Sequence, residues 1–279
     1  MNWKTSKRVI SVERPLVMGI LNVTPDSFSD GGEFLGVDDA LRHAEKMISD
    51  GADIIDVGGE STRPSSSRVS VEDEISRTAP AIKAITSHFD VPISIDTTKA
   101  EVASAALEAG AEIINDISGL RWDLRLAELA AESGAGLVLM HSRGEFGSMH
   151  SLEPVENILD KVIDELRSSV AAAEAHSVSD EQIVLDIGIG FGKTPAQNLD
   201  LIANLDKIVA EFEGYPILVG ASRKSFISKV LGDIPPAKRI GASIAAAVAS
   251  VERGAKIVRV HDVAETVQAL RFIGVLQDA

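Results

Sequence analysis

The chain contains no cysteine. That excludes disulfides, a thiolate nucleophile and any cysteine-ligated zinc, and it leaves the redox compartment undecided. Basic charge is scarce as well: 27 Lys and Arg face 42 Asp and Glu, for a formal net charge of -15 and a pI near 4.8. A field of that sign repels nucleic acid and anionic membrane, so neither is an expected partner, and an anionic ligand must be captured by a local group of cations. No uninterrupted apolar run is long enough to span a bilayer, and residues 1–14 mix Lys, Arg and Glu without the apolar block of a signal peptide. A cytoplasmic location is therefore expected. Nor does a Pro-rich or low-complexity linker interrupt the 279 residues, which predicts one domain over 1–279 with an N-terminal lead over 1–15.

What is present is a repeat of apolar runs. Strands are predicted at 16–22, 53–57, 91–96, 112–117, 136–141, 183–187, 216–221 and 256–260, each ahead of a helical pattern. Ala40, Leu41, Ala44, Met47 and Ile48 share one helix face, Ser70 with Asp73 resembles a capping box, and Leu199, Ile202 and Leu205 stripe a later helix. Asp262 and Glu265 are expected to cap the last one. Most strand runs are continuously apolar, as expected of strands covered on both faces. Eight such units favour an α/β fold of the (β/α)8 TIM-barrel type, with all 45% of apolar residues available for its core. An open doubly wound sheet would instead leave two strand edges.

Ligands bind such barrels at the carboxyl ends of the strands. The residues there are Asn22, Asp56, Asp96, Asn115, His141, Asp186, Arg223 with Lys224, and Arg259 with His261. Asp96, Asn115 and Asp186 suit a neutral heterocycle with several N–H donors, because carboxylates accept and an amide both donates and accepts. Arg63, Arg259 and His261 suit an anion, which in so acidic a chain implies a phosphorylated ligand. Asn22 can supply one oxygen to a magnesium ion that takes its other ligands from phosphate and water. Blander readings stand beside these. Asp56 is read as structural support, His141 as a hydrogen-bonded histidine behind the pocket, and Lys193 as a solvated loop lysine. Arg121, Trp122 and Arg125 are read as barrel exterior. Lys224 as a Schiff-base lysine would leave the other strand ends without a purpose.

Several long motifs, in order, resemble the dihydropteroate synthase family. They are GILNVTPDSFSDGG from Gly19, DVGGESTRP from Asp56, SIDTTK from Ser94, NDIS from Asn115, LMH from Leu139, LDIGIGFGK from Leu185, LVGASRKS from Leu218 and RVHDV from Arg259. The resemblance covers nearly the whole chain, and it implies condensation of 6-hydroxymethyl-7,8-dihydropterin diphosphate with 4-aminobenzoate. By motif position it implies that Asp96, Asn115, Asp186 and Lys224 hold the pterin, with Arg259 stacked on its face. Asn22, Thr62, Arg63, Arg259 and His261 surround the diphosphate and its magnesium, Ser225 binds the aminobenzoate carboxylate, and Phe28 and Asp30 sit on a closing loop. It also implies an SN1-like displacement and a homodimer. Ile187 departs from the family, which usually has proline there, and puts the local backbone rigidity in question. A pterin-dependent methyltransferase would have no need of the TPDSFSDGG and STRP segments; a non-catalytic pterin-binding paralogue is the other alternative, since fold and pocket do not guarantee turnover, and it is disfavoured because no expected catalytic-loop position is lost here.

Overall fold

The computed structural model describes residues 1–24, 33–61, 68–146 and 152–277. The N-terminal stretch, expected to be a plain lead, forms a hairpin of β1 (Asn2–Lys4) and β2 (Val9–Ser11). Its purpose is packing. Trp3 is fully buried, its Nε1 donates to the Gln182 carbonyl at 2.8 Å, and its ring joins the apolar cluster that fills the inside of the barrel. A Cβ on Gly136 would meet that indole at 3.0 Å, so a larger residue at the start of this barrel strand would press on the Trp3 ring. The hairpin thus seals the N-terminal end and leaves the opposite mouth for ligands.

The barrel strands are β3 (Leu16–Asn22), β4 (Ile54–Gly58), β5 (Ile93–Asp96), β6 (Ile113–Asp116), β7 (Gly136–Met140), β8 (Ile183–Asp186), β9 (Ile217–Val219) and β10 (Ile257–Val260). All pair in parallel, and β10 closes on β3, so the barrel sheet has no edge. This decides for the barrel over the open sheet. Nearly every strand residue is buried, which accounts for the lack of polar alternation.

Ten helices among the described residues cover the outside: α1 (Glu33–Ser49), α2 (Val71–His88), α3 (Ala100–Ala109), α4 (Arg125–Ser133), α5 (Ile158–Ala175), α6 (Pro195–Ala203), α7 (Leu205–Glu211), α8 (Ser225–Leu231), α9 (Ile240–Glu252) and α10 (Val263–Gln277). Ser70 caps α2 as its sequence suggested, accepting from the Asp73 N–H at 3.1 Å. Two expectations fail locally. Leu199 is exposed, because the buried face of α6 runs through Gln197, Asn198, Leu201 and Ile202; α6 then ends before Asn204 and the buried face resumes at Leu205 and Ile208 of a new helix. Asp262 is no side-chain cap, since its carboxylate is taken by Arg223 Nε and Nη2.

Candidate active site

Side chains alternate in direction along a strand, so the residue two beyond an inward apolar one also points inward. Ile54, Ile113, Val184 and Ile257 belong to the interior cluster. Two positions further along the same four alternate strands stand Asp56, Asn115, Asp186 and Arg259. The packing layers of the barrel therefore change from apolar to charged over one repeat, at the mouth. Arg259 organises that layer: its Nε donates to Asp56 Oδ2 at 2.6 Å and its Nη2 to Asp96 Oδ2 at 2.6 Å. Asn115 Nδ2 donates to the same Asp56 oxygen at 3.2 Å. With two edges tied, the guanidinium plane is fixed. The other Asp56 oxygen is buried with no hydrogen-bond partner among the described residues.

The surroundings shift the acidities of these groups. Burial pushes the Asp96 carboxyl up, to about 7, with Arg259 pulling it down and the Asp56 and Glu74 carboxylates adding to the rise. Burial also raises Asp186, opposed by Lys224 and by the Gly188 N–H, which donates to Oδ1 at 2.7 Å. Lys224 is lowered to about 8 by burial, against the attraction of Asp186. Burial alone would lower Arg259, but its carboxylate partners raise it on balance, so it stays a cation.

Backbone geometry places the lysine. Arg223 has φ +57, a left-handed conformation that costs a non-glycine residue energy, and its side chain turns away to Asp262. The next residue, Lys224, lies in the mouth, where its Nζ donates to the Ile189 carbonyl and sits 4.3 Å from the centre of the Phe191 ring. A Cβ on Gly190 would come within 3.0 Å of the Lys224 stem. His261 closes the rim through Ser222, whose Oγ accepts from the His261 N–H at 3.1 Å and lies 3.0 Å from Nδ1.

Residues 18–261 match the pterin binding enzyme family. The dihydropteroate synthase of Clostridium beijerinckii is 47% identical over 265 residues, which is 95% of this chain and 95% of that one. Among solved structures, Xanthomonas albilineans dihydropteroate synthase with 4-aminobenzoic acid aligns at TM-score 0.93 and 38% identity, covering 100% of both chains. The Xanthomonas albilineans enzyme in complex with 7,8-dihydropteroate aligns at TM-score 0.90 and 36% identity, again over 100% of both. The chain belongs to the dihydropteroate synthase family.

In this member of the dihydropteroate synthases, Asp96, Asn115, Asp186, Lys224, Arg259 and His261 all reach the one mouth. Asn22 joins them: its Oδ1 and Asp96 Oδ2 each lie 3.7 Å from where a Cβ on Gly58 would stand. Ser225 is exposed beside Lys224, at the first turn of α8. Phe28, Asp30, Thr62 and Arg63 lie outside the described residues.

Asp56, read as support, is that support, orienting Arg259 and Asn115. His141 is fully buried behind the mouth with Nε2 2.8 Å from Glu165 Oε2, although neither ring nitrogen makes a well-aligned hydrogen bond. Burial holds it neutral, with its pKa down at about 4.

One bland reading is corrected. Lys193 is not solvated: its Nζ donates to the carbonyls of His141 (3.2 Å), Gly188 (2.7 Å) and Phe191 (3.1 Å), tying the β7 and β8 exits together, and burial lowers its pKa well below the usual lysine value. Arg121 is exposed and Trp122 half-buried, so the exterior reading holds, although both lie in contacts. Arg121 Nη2 donates to the Ser142 carbonyl at 2.5 Å, and Arg68 lies 5.0 Å from the centres of both the Trp122 and Phe146 rings. The signal for Lys193 was its place inside the LDIGIGFGK motif, which marks a shaped turn more than a flexible one.

Proposed function

We propose that this mouth condenses 6-hydroxymethyl-7,8-dihydropterin diphosphate with 4-aminobenzoate by a dissociative, SN1-like displacement, giving 7,8-dihydropteroate and diphosphate. The observation that carries the reading is the charged layer of Asp56, Asn115, Asp186 and Arg259, set on four alternate strands and bridged to Asp96. Asp96, Asn115 and Asp186 meet the N–H edge of the pterin, Lys224 donates to it, and the fixed Arg259 plane covers one ring face.

Breaking the carbon–oxygen bond to diphosphate leaves a cation conjugated with the dihydropterin ring, so the barrier lies in supporting the leaving group. That task is assigned to Arg63, Thr62 and His261. The Asp96 carboxylate stabilises the developing cation as well as anchoring the ring. The arylamine is already neutral near pH 7 and attacks without a strong base, its carboxylate held by Ser225. Phe28 and Asp30, which follow β3 in the sequence, are assigned to excluding water that would otherwise hydrolyse the cation.

Among the described residues, magnesium fits in one manner. Among the described residues no three His, Asp or Glu side chains converge as a metal site, whereas Asn22 offers one amide oxygen beside Asp96. That is the donor set of an ion held mainly by diphosphate and water. Bound there, the metal would neutralise charge on the leaving diphosphate, and Asn22 is the residue that orients it. We also propose a homodimer formed through the outer helices, with Phe272, Val275 and Leu276 of α10 exposed on one helix face. The cytoplasm is the proposed location, because a diphosphate substrate does not cross a bilayer unaided.

The purified protein, given magnesium, the pterin diphosphate and 4-aminobenzoate, is expected to release dihydropteroate and diphosphate. Arg63→Ala is expected to slow single-turnover bond breaking by roughly a hundredfold, the usual scale for one lost charge-stabilising donor. Binding of both substrates without product would instead indicate a pterin-binding paralogue. Weaker binding with an unchanged single-turnover rate would remove the leaving-group role.

A further inference from the structure

Beside the mouth lies a buried ionic cluster that the reaction does not require as a ligand. Lys99 Nζ donates to Glu60 Oε1 at 3.0 Å, to Glu74 Oε2 at 2.5 Å and to the Val69 carbonyl at 2.8 Å. The Val69 N–H in turn donates to Glu60 Oε1 at 2.6 Å. The three charged side chains are only 11%, 9% and 1% exposed for Lys99, Glu60 and Glu74. One ammonium thus serves two carboxylates out of water, an arrangement that apolar side chains of similar volume would match or exceed in stability. Its value is sought in position.

The position is specific. Glu60 and Val69 bracket the segment that carries Thr62 and Arg63, and the cluster joins those two stems to each other. Two more contacts hold the same stems: Arg77 Nη1 donates to the Gly59 carbonyl at 3.0 Å, and Arg68 rests between Trp122 and Phe146. Lys99 itself stands three residues beyond Asp96, and its N–H donates to Thr97 Oγ1 at 3.3 Å. The link therefore runs from the strand end that anchors the pterin to both ends of the segment assigned to the diphosphate.

We infer that Lys99 is a positioning residue for the condensation, clipping the stems of the Thr62 and Arg63 segment together and registering them against Asp96. The inference rests on the reading that Arg63 supports the diphosphate. Removing the clip is expected to harm the diphosphate half of recognition and leave the pterin half intact.

The full chain is tested by calorimetry, in magnesium, with 6-hydroxymethylpterin and with its diphosphate as separate probes. Three variants are compared: Lys99→Met, Lys99→Arg, and the triple variant Lys99→Met, Glu60→Gln, Glu74→Gln, in which no buried charge is left unpaired if the single change fails to fold. In the neutral variants the advantage of the diphosphate probe over the bare pterin should shrink about tenfold, with kcat falling alongside and pterin affinity held within about twofold, a scale consistent with displaced catalytic groups. Lys99→Arg should restore most of that advantage. Equal losses for both probes, or an unchanged advantage in the neutral variants while Arg63→Ala abolishes it, would overturn the clip. An unchanged advantage in Arg63→Ala would overturn the assignment of Arg63 on which the clip rests.

Discussion

Arg259 bears more of the site than any other side chain, because its two donor edges set the spacing of Asp56 and Asp96 while its face is left to the ligand. Its neighbours make the site sensitive to pH. On the proposed reading, in which an ionised Asp96 and a protonated Lys224 hold the pterin, affinity is lost as pH falls through about 7 and again as it rises through about 8. A bell-shaped profile of kcat/KM for the pterin diphosphate is expected between those limits. Lys224→Arg should erase the alkaline limb, since a guanidinium does not deprotonate in this range. A limb that persists in that variant would assign it to another group. Asp96, Asn115 and Asp186 were legible in the sequence, because each is a polar residue at the carboxyl end of a mainly apolar run. The partnership of Asp56 with Arg259 was not, because nothing local to either residue marks the other.

At the scale of elements, the turn after β8 shows how a motif becomes a shape. Gly188, Gly190 and Gly192 all have positive φ, and a Cβ on Gly188 would overlap the His141 carbonyl oxygen. Ile187, where the family usually carries proline, is fully buried, and the turn is held instead by the Gly188 N–H on Asp186 and by the three carbonyl contacts of Lys193. Gly188→Ala is expected to destabilise the fold by at least about 2 kcal/mol, read as a lowered urea midpoint, because left-handed strain and the overlap add. Its pterin affinity should drop too, as Asp186 loses its fixed orientation; an unchanged midpoint would mean that the turn relaxes freely. Strand runs and the Ser70 cap could be read from sequence because both are set within a few residues. The break at Asn204 could not, since an apolar stripe continues across it and only packing separates α6 from α7.

The whole molecule presents one mouth because its other end is plugged by Trp3. Among the described residues, large apolar side chains remain exposed on its outer surface, including Phe272, Val275 and Leu276 at helical spacing on α10, with Val230 and Leu231 at the end of α8. A charge placed on that face should prevent association: light scattering on Phe272→Glu is expected to give the monomer mass where the unmodified chain gives the dimer mass. A monomeric unmodified chain would remove the dimer. No helix among the described residues is long and apolar enough to cross a membrane.

The sequence by itself determined the eightfold strand and helix repeat, the polar character of the strand ends and the need for a local cationic site in an acidic chain, since each depends on residues near one another or on simple composition. Tertiary structure decided which of those ends meet. Arg259 reaches Asp56 across 203 residues only because β10 closes on β3 and the register puts both side chains inside the barrel. Trp3 becomes a plug, Lys193 a staple and Lys99 a tie between strand ends for the same reason. Periodicity is written in short-range sterics and hydrophobicity, whereas a pairing between distant strand ends exists only after closure and register have brought them within hydrogen-bonding distance.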